Sequence, residues 1–203
     1  MTAWGAFHGI RAALQHRFGD ASPAGRTVSI QGLGSVGWDL ARHLKAAGAR
    51  LQVCDVDEAR VARAVTELGA TALALSEFVS APCDVLAPCA VGGVVGEAEI
   101  ALLRCEIVAG AANNVLVDEV ADSERLQARG ILFAPDYVVN AGGIIAMHAE
   151  QRGQTVGHAM DVAAGIFDTT LAVLSRAARE SVTPVLAARR IADDRILHAS
   201  SSL

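Results

Sequence analysis

Two rhythms of apolar residues divide the chain. Between residues 26 and 135, short runs rich in Val, Ile and Leu alternate with stretches whose apolar side chains return every three or four positions; beyond Pro135 only the second rhythm remains. The first kind of run is what a strand buried on both faces requires, and the second is one face of a helix.

The pattern predicts a helix over 2–18, where Trp4, Phe7, Ile10 and Leu14 fall on one side, Thr2 stands at the N-cap position and Gly19 stops the run. DASPAG at 20–25 is a turn. Strands follow at RTVSIQ (26–31), RLQVCD (50–55), ATALAL (70–75), DVLAP (84–88), EIVAGA (106–111) and ILFAP (131–135). Helices are expected over 35–47, 58–68 and 118–128, the last closed by Gly130. The final part predicts three helices over 139–152, 156–178 and 184–196. Thr183 and Pro184 supply a capping hydroxyl and a first-turn residue whose missing N–H leaves nothing unsatisfied. HASSSL (198–203) reads as a frayed tail. Alternating strands and helices give an α/β fold, a doubly wound, mostly parallel sheet with additional C-terminal helices, and we expect one domain over 1–203.

Composition narrows this little but usefully. Of 203 residues 52% are apolar and only 4% aromatic, the palette of helices laid on a parallel sheet. A net charge of -5 without like-charged runs argues against nucleic acid or an anionic membrane as partner. Cys54, Cys83, Cys89 and Cys105 form no C-x-x-C pair, which argues against zinc and fits a reduced, cytoplasmic setting. The N-terminus lacks signal-peptide character, and no apolar run would span a bilayer.

The chemistry begins at QGLGSVG. Gly32, Gly34 and Gly37 follow an expected strand and open an expected helix, with Ser35 and Val36 at the helix head, so backbone N–H groups and the helix dipole would meet a pyrophosphate. This is the Rossmann arrangement. Asp55 ends the next strand about twenty residues on, where a carboxylate would hold the adenosine ribose and repel the extra phosphate of NADP. NAD is therefore the expected coenzyme. Asp57 reads as the cap of the following helix.

Ligands on such sheets lie beyond the carboxyl ends of the strands. Asn113 and Asn114 offer amide donors and acceptors there, suited either to a nicotinamide carboxamide or to an amino-acid group, and equally to a turn. Asn140 has the same two readings, the bland one being a helix start. Cys89 has no base at a recognisable spacing, so it reads as a small filler, with Pro88, Cys89 and Ala90 contributing backbone.

Taken in order, TAWGAFHGI, QGLGSVGWDLA, DVLAPCAVGGV, VAGAANNV and APDYVVNAGGII resemble the C-terminal, coenzyme-binding half of the glutamate/leucine/phenylalanine/valine dehydrogenase family, most like its phenylalanine, leucine and valine branch. The resemblance covers essentially the whole chain. It implies reversible oxidative deamination of a branched-chain or aromatic L-amino acid to the 2-oxo acid and ammonia with NAD. It further implies that Thr2 contacts the nicotinamide end, Cys89 and Ala90 line the nicotinamide ribose, Asn113 and Asn140 flank the nicotinamide and the reacting carbon, and Met147 borders the substrate side chain.

The family's two lysines, one a general base and one a partner for the substrate carboxylate, belong to an N-terminal domain that these residues do not match. Lys45, the only lysine, lies near the end of the helix behind the glycine loop, and neither His148 nor His158 matches a family catalytic position. The expectation is an NAD(H)-binding chain that acts on an amino acid or 2-oxo acid only with a complementary catalytic domain, and that self-associates as a homo-oligomer. The alternative is a non-catalytic NAD(H) sensor or regulatory partner subunit.

Overall fold

The computed structural model describes residues 1–200, with side chains through Leu197. Six strands, β1 (Thr27–Gln31), β2 (Arg50–Cys54), β3 (Thr71–Ala72), β4 (Val85–Pro88), β5 (Ile107–Val108) and β6 (Leu132–Phe133), form one sheet in the order β3-β2-β1-β4-β5-β6. Every pairing is parallel. The chain moves outward from β1 in one direction through β2 and β3, then returns to lay β4 on its other side. That reversal opens a crevice at the carboxyl ends of β1 and β4.

Strand alternation sorts the two faces. Val28, Ile30, Val53, Val85 and Ile107 meet α1 (Thr2–Phe18), α2 (Ser35–Ala46) and α3 (Glu58–Leu68) in one core, in which Ile10, Leu14, Leu40 and Leu44 are fully buried. Leu86 and Val108 face the other way. They pack with Phe78 and with α4 (Glu97–Leu102) and α5 (Glu119–Ala128) through Ile100 and Leu126. Each such side chain contributes roughly 1.5–3 kcal/mol by leaving water, so the two layers fix the crevice firmly. Five further helices follow: α6 (Asp136–Val139), α7 (Gly142–Gln151), α8 (Val156–Ala164), α9 (Ile166–Glu180), which packs along α1, and α10 (Pro184–Ser200), which closes on α9.

Several expectations need correction. Thr2 is the first helical residue of α1 and not its cap, which is Met1. Helix α4 follows Gly96 where no element was expected; six residues are too few to show a period. The helix expected from 139 is two, because Val139 ends α6 and Asn140 and Ala141 separate it from α7. That expected over 156–178 is also two: Gly165 donates its N–H to Val162 O at 3.1 Å, a tightened turn that resets the axis. A predicted strand over 70–75 shrinks to two residues followed by a 3-10 turn at Leu75–Glu77. Thr183 caps α10 as expected, its Oγ1 accepting from Leu186 N–H at 3.3 Å. That helix runs on through Ser200, past the expected end at 196, while residues 201–203 of HASSSL lie outside those described.

Candidate functional site

The crevice floor begins where β1 ends. Gly32 turns at φ +91 and donates its N–H to Cys54 O at 2.8 Å. A Cβ there would lie 2.7 Å from Ala90 Cβ and 2.9 Å from Ala90 N, so only glycine lets the loops after β1 and β4 touch. A Cβ on Gly37 would fall inside the carbonyl oxygen of Gly32, whereas one on Gly34 would find open space with Arg60 Nη1 3.9 Å away. Sterically, Gly32 and Gly37 permit the packing and Gly34 leaves the space clear.

Helix α2 starts at Gly34 with no side-chain cap, so the first N–H groups, at Ser35, Val36 and Gly37, face the crevice mouth. An uncapped helix N-terminus beside a vacant glycine is suited to an anionic group of pyrophosphate size.

Asp55 stands beside it and is almost fully enclosed, its side chain 5% exposed. Its Oδ2 accepts the Leu33 N–H at 2.5 Å and its Oδ1 the Asp57 N–H at 2.9 Å. The carboxylate therefore braces the glycine loop while keeping lone pairs free for a further donor. Asp57 caps α3 as expected, accepting from Ala59 and Arg60 N–H at 3.0 and 3.4 Å.

Arg60 is closer to this point than its place on the next helix implied, 3.9 Å from Asp55 and 3.2 Å from Asp57. Its i,i+3 spacing from Asp57 is the signal that would have found it. With Trp38 and Arg63, whose guanidinium stacks 3.8 Å over the indole, it borders a cleft of about 220 Å³. Beyond Asp55, an open cavity of about 650 Å³ presents a mostly apolar shelf of Val56, Val61, Ala72 and Leu75, with Glu58 and Thr66 also lining it, that the sequence did not reveal.

The floor continues past β4. Cys89 donates its N–H to Gln31 O at 2.8 Å, and burial pushes its thiol up to about 12, which makes it a filler and not a nucleophile. The following loop reaches β5: Gly93 N–H donates to Asn114 O at 2.7 Å, and Gly92 lies against the Asn113 carbonyl so closely that no Cβ fits. Asn114 has a positive φ of 52, which Asn tolerates better than most residues, and its N–H donates to Asp136 Oδ2 at 2.7 Å.

Asn140 is the first of the two residues between α6 and α7, not a helix start. From that break its Nδ2 donates to Asn113 Oδ1 at 2.7 Å. The pair keeps one amide NH₂ and one amide oxygen free, a donor and an acceptor side by side.

Thr2 arrives from the far end of the chain. A Cβ on Gly143 would lie 2.9 Å from Thr2 Oγ1, and one on Gly142 would lie 2.6 Å from Met1 O, so α1 and α7 meet end to end beside Asn140. Met147 is 55% exposed on α7, near Ile144. It packs no core, which leaves it available to whatever covers that helix. Lys45 sits exposed in the last turn of α2, at the end away from the glycine loop, and His148 and His158 are exposed on α7 and α8. Among the described residues, no three His, Cys, Asp or Glu side chains are grouped as a metal ion would need, and no helix is long and apolar enough to cross a membrane.

Residues 52–201 match the model of the glutamate/leucine/phenylalanine/valine dehydrogenase family. A leucine dehydrogenase of Thermoactinomyces intermedius is 40% identical over 196 residues, 97% of this chain and 53% of that protein. An L-tryptophan dehydrogenase of Nostoc punctiforme is 41% identical over 202 residues, covering 100% and 57%. The crystal structure of L-tryptophan dehydrogenase from Nostoc punctiforme superimposes with a TM-score of 0.96 at 40% identity, over 98% of this chain and 61% of that one. The chain thus spans about half the length of the curated relatives it matches.

Proposed function

The chain belongs to the glutamate/leucine/phenylalanine/valine dehydrogenase family, and from that premise we propose that it is the NAD-binding domain of an amino-acid dehydrogenase acting on a branched-chain or aromatic L-amino acid. One observation carries the reading. The loop over residues 89–93 links the glycine turn, through Ala90 against Gly32, to the amide pair Asn113–Asn140, through Gly92 and Gly93. The result is an unbroken floor from Asp55 to Asn140 with chemistry in the order a dinucleotide needs. It offers an apolar shelf, a carboxylate, an uncapped helix N-terminus, and then amides.

In this reading Val56 and Leu75 hold the adenine, Asp55 its ribose, and Gly32, Gly34, Ser35, Val36 and Gly37 the pyrophosphate. Cys89 and Ala90 lie along the second ribose, and Asn113, Asn140 and Thr2 orient the nicotinamide and the amino-acid group. Bound NAD would supply the hydride acceptor. Asn140 and Asn113 would fix the face presented to the substrate Cα.

We assign no general base within the 203 residues. Lys45 is remote from the crevice mouth, so the base and the carboxylate-binding lysine would come from the part of the relatives' length that this chain does not span. Calorimetry with NADH, together with deamination assays on leucine, valine, phenylalanine, tryptophan and glutamate, tests both halves. Tight NADH binding with negligible turnover is expected; absence of NADH binding overturns the domain assignment, and brisk turnover by this chain alone overturns the external base.

A further inference from the structure

Asp136 occupies a position that the coenzyme reading leaves unexplained. It opens α6 directly after Pro135 and is 8% exposed. Its side chain accepts the Asn114 N–H at 2.7 Å, and its main-chain carbonyl accepts the Asn140 N–H at 2.8 Å. One residue is therefore bonded to both halves of the amide pair, to the Asn113–Asn114 turn through Oδ2 and to Asn140 through its backbone.

We propose that Asp136 is a positioning residue that sets the Asn113–Asn140 pair against the nicotinamide carboxamide, a proposal that rests on the coenzyme reading above. The turn it holds is unusual. Asn114 is one of only two described non-glycine residues with positive φ. Its peptide is gripped from the other side by Gly93 N–H on Asn114 O. Released from Asp136, the 113–114 peptide is free to rotate to a negative φ, and Asn113 Oδ1 then leaves the Asn140 amide.

A structural role alone is a poor account of this carboxylate. Among the described residues no ion pair involves it: Arg189, the arginine lining the same cavity, is bonded to Glu119. A buried anion satisfied by N–H groups alone is costly to a fold, and a neutral acceptor would hold a mere turn as well. What the charge adds is a stronger, shorter acceptor for one N–H, which fixes geometry.

The test compares NADH with ADP-ribose, which lacks only the nicotinamide. Calorimetry on the full chain should show Asp136→Ala weakening NADH about tenfold, the loss of one charge-assisted hydrogen bond, while ADP-ribose stays within about twofold. Asp136→Asn keeps an acceptor oxygen and should recover most of the loss, leaving about a threefold deficit confined to NADH. Where Asp136→Ala does not fold, as read by thermal unfolding, the Asn variant carries the test through that deficit. Equal losses for both ligands, or none for either, overturn the proposal. Wild-type protein that binds neither ligand overturns instead the coenzyme reading on which it stands.

Discussion

Leu33 donates its backbone N–H to Asp55 Oδ2 at 2.5 Å, tying the tip of the glycine turn to the end of the neighbouring strand. The same carboxylate lies 3.9 Å from Arg60. Asp55 therefore shapes the loop and, with Asp57, holds the Arg60 guanidinium at the edge of the proposed ribose position. Replacing it removes the proposed ribose acceptor, orphans the buried Leu33 N–H, and leaves Arg60 paired only with the exposed Asp57, from which a phosphate can draw it.

Asp55→Ala should accordingly weaken NADH by roughly 1.5–3 kcal/mol, about ten- to a hundredfold, while weakening NADPH much less. Relative affinity for the two coenzymes, measured by fluorescence titration, is the readout. An unchanged ratio would show that Asp55 and Arg60 do not discriminate at this position.

The glycines separate folding from binding. Gly37→Ala forces a methyl into the Gly32 carbonyl, an overpacking with no flexible neighbour to yield, and should destabilise by about 1–3 kcal/mol or more. Gly34→Ala meets only Arg60 Nη1, at 3.9 Å, so it should melt like wild type. It should nonetheless lose NADH, because the methyl stands in the space assigned to the phosphates. Thermal unfolding and NADH titration on both variants check the contrast; a Gly34→Ala protein with full affinity would place the pyrophosphate elsewhere.

How much of this was legible beforehand follows from the range of each interaction. The glycine turn, Asp55 and the succession of strands and helices depend on local sterics and on alternation between neighbouring residues, so they could be read in sequence, whereas the strand order could not. The Asn113–Asn140 bond spans two separate loops, and the Asp136–Asn114 contact crosses from β5 to α6. Nothing in either stretch fixes which amide faces which. Asn140 shows the limit well, since the helical period on both sides of it is intact and the break falls where Gly142 packs against Met1 O and Gly143 against Thr2, contacts from the far end of the chain. The apolar shelf at Val56 and Leu75 went unseen because two exposed apolar residues have no pattern until the strands bring them together.

The cysteines should react in a fixed order. A hydrogen bond from the Cys105 thiol holds Cys83 below the usual thiol range although burial opposes it, and Cys83 is half-buried just ahead of β4. Burial pushes Cys54 up to about 11 and Cys89 up to about 12, and Cys105 is raised by its bond to Cys83 and by burial. Alkylation followed by peptide mass spectrometry should find Cys83 modified first and Cys89 and Cys105 last. Early labelling of Cys89 would contradict its role as filler.

Acid should loosen the contact between α1 and α2. His8 is buried against Trp4 and Phe7, and its Nε2 has no hydrogen-bond partner. Burial first, then Arg11 and His43, lower its pKa below 6.5. The unfolded chain therefore takes up the proton more readily, so this stabilising contribution is present above 6.5 and is lost as pH falls through the depressed folded value. His16 and His43 are lowered too, again chiefly by burial. Melting temperature should fall on acidification below 6.5, and less steeply in His8→Phe, which keeps a ring against Trp4. An identical slope in the variant would remove His8 from the account.

Asp136 titrates with the opposite sign, and this separates its cost from its use. Burial raises its pKa above 3.8, with Glu119 adding to the effect, while the N–H groups of Asn114, Asp136 and Tyr137 work against it. A carboxyl raised in the folded state contributes stability that is present below the unfolded value and lost as pH rises through the folded one, so at neutral pH the ionised form burdens the fold. Asp136→Asn, which removes the charge and keeps an acceptor for Asn114 N–H, should melt at or above the wild-type temperature at neutral pH, and the advantage should vanish in acid. A variant that is more stable yet poorer at holding NADH would show a charge kept for its geometry. Clear destabilisation by Asp136→Asn at neutral pH would mean instead that the carboxylate is needed by the fold itself.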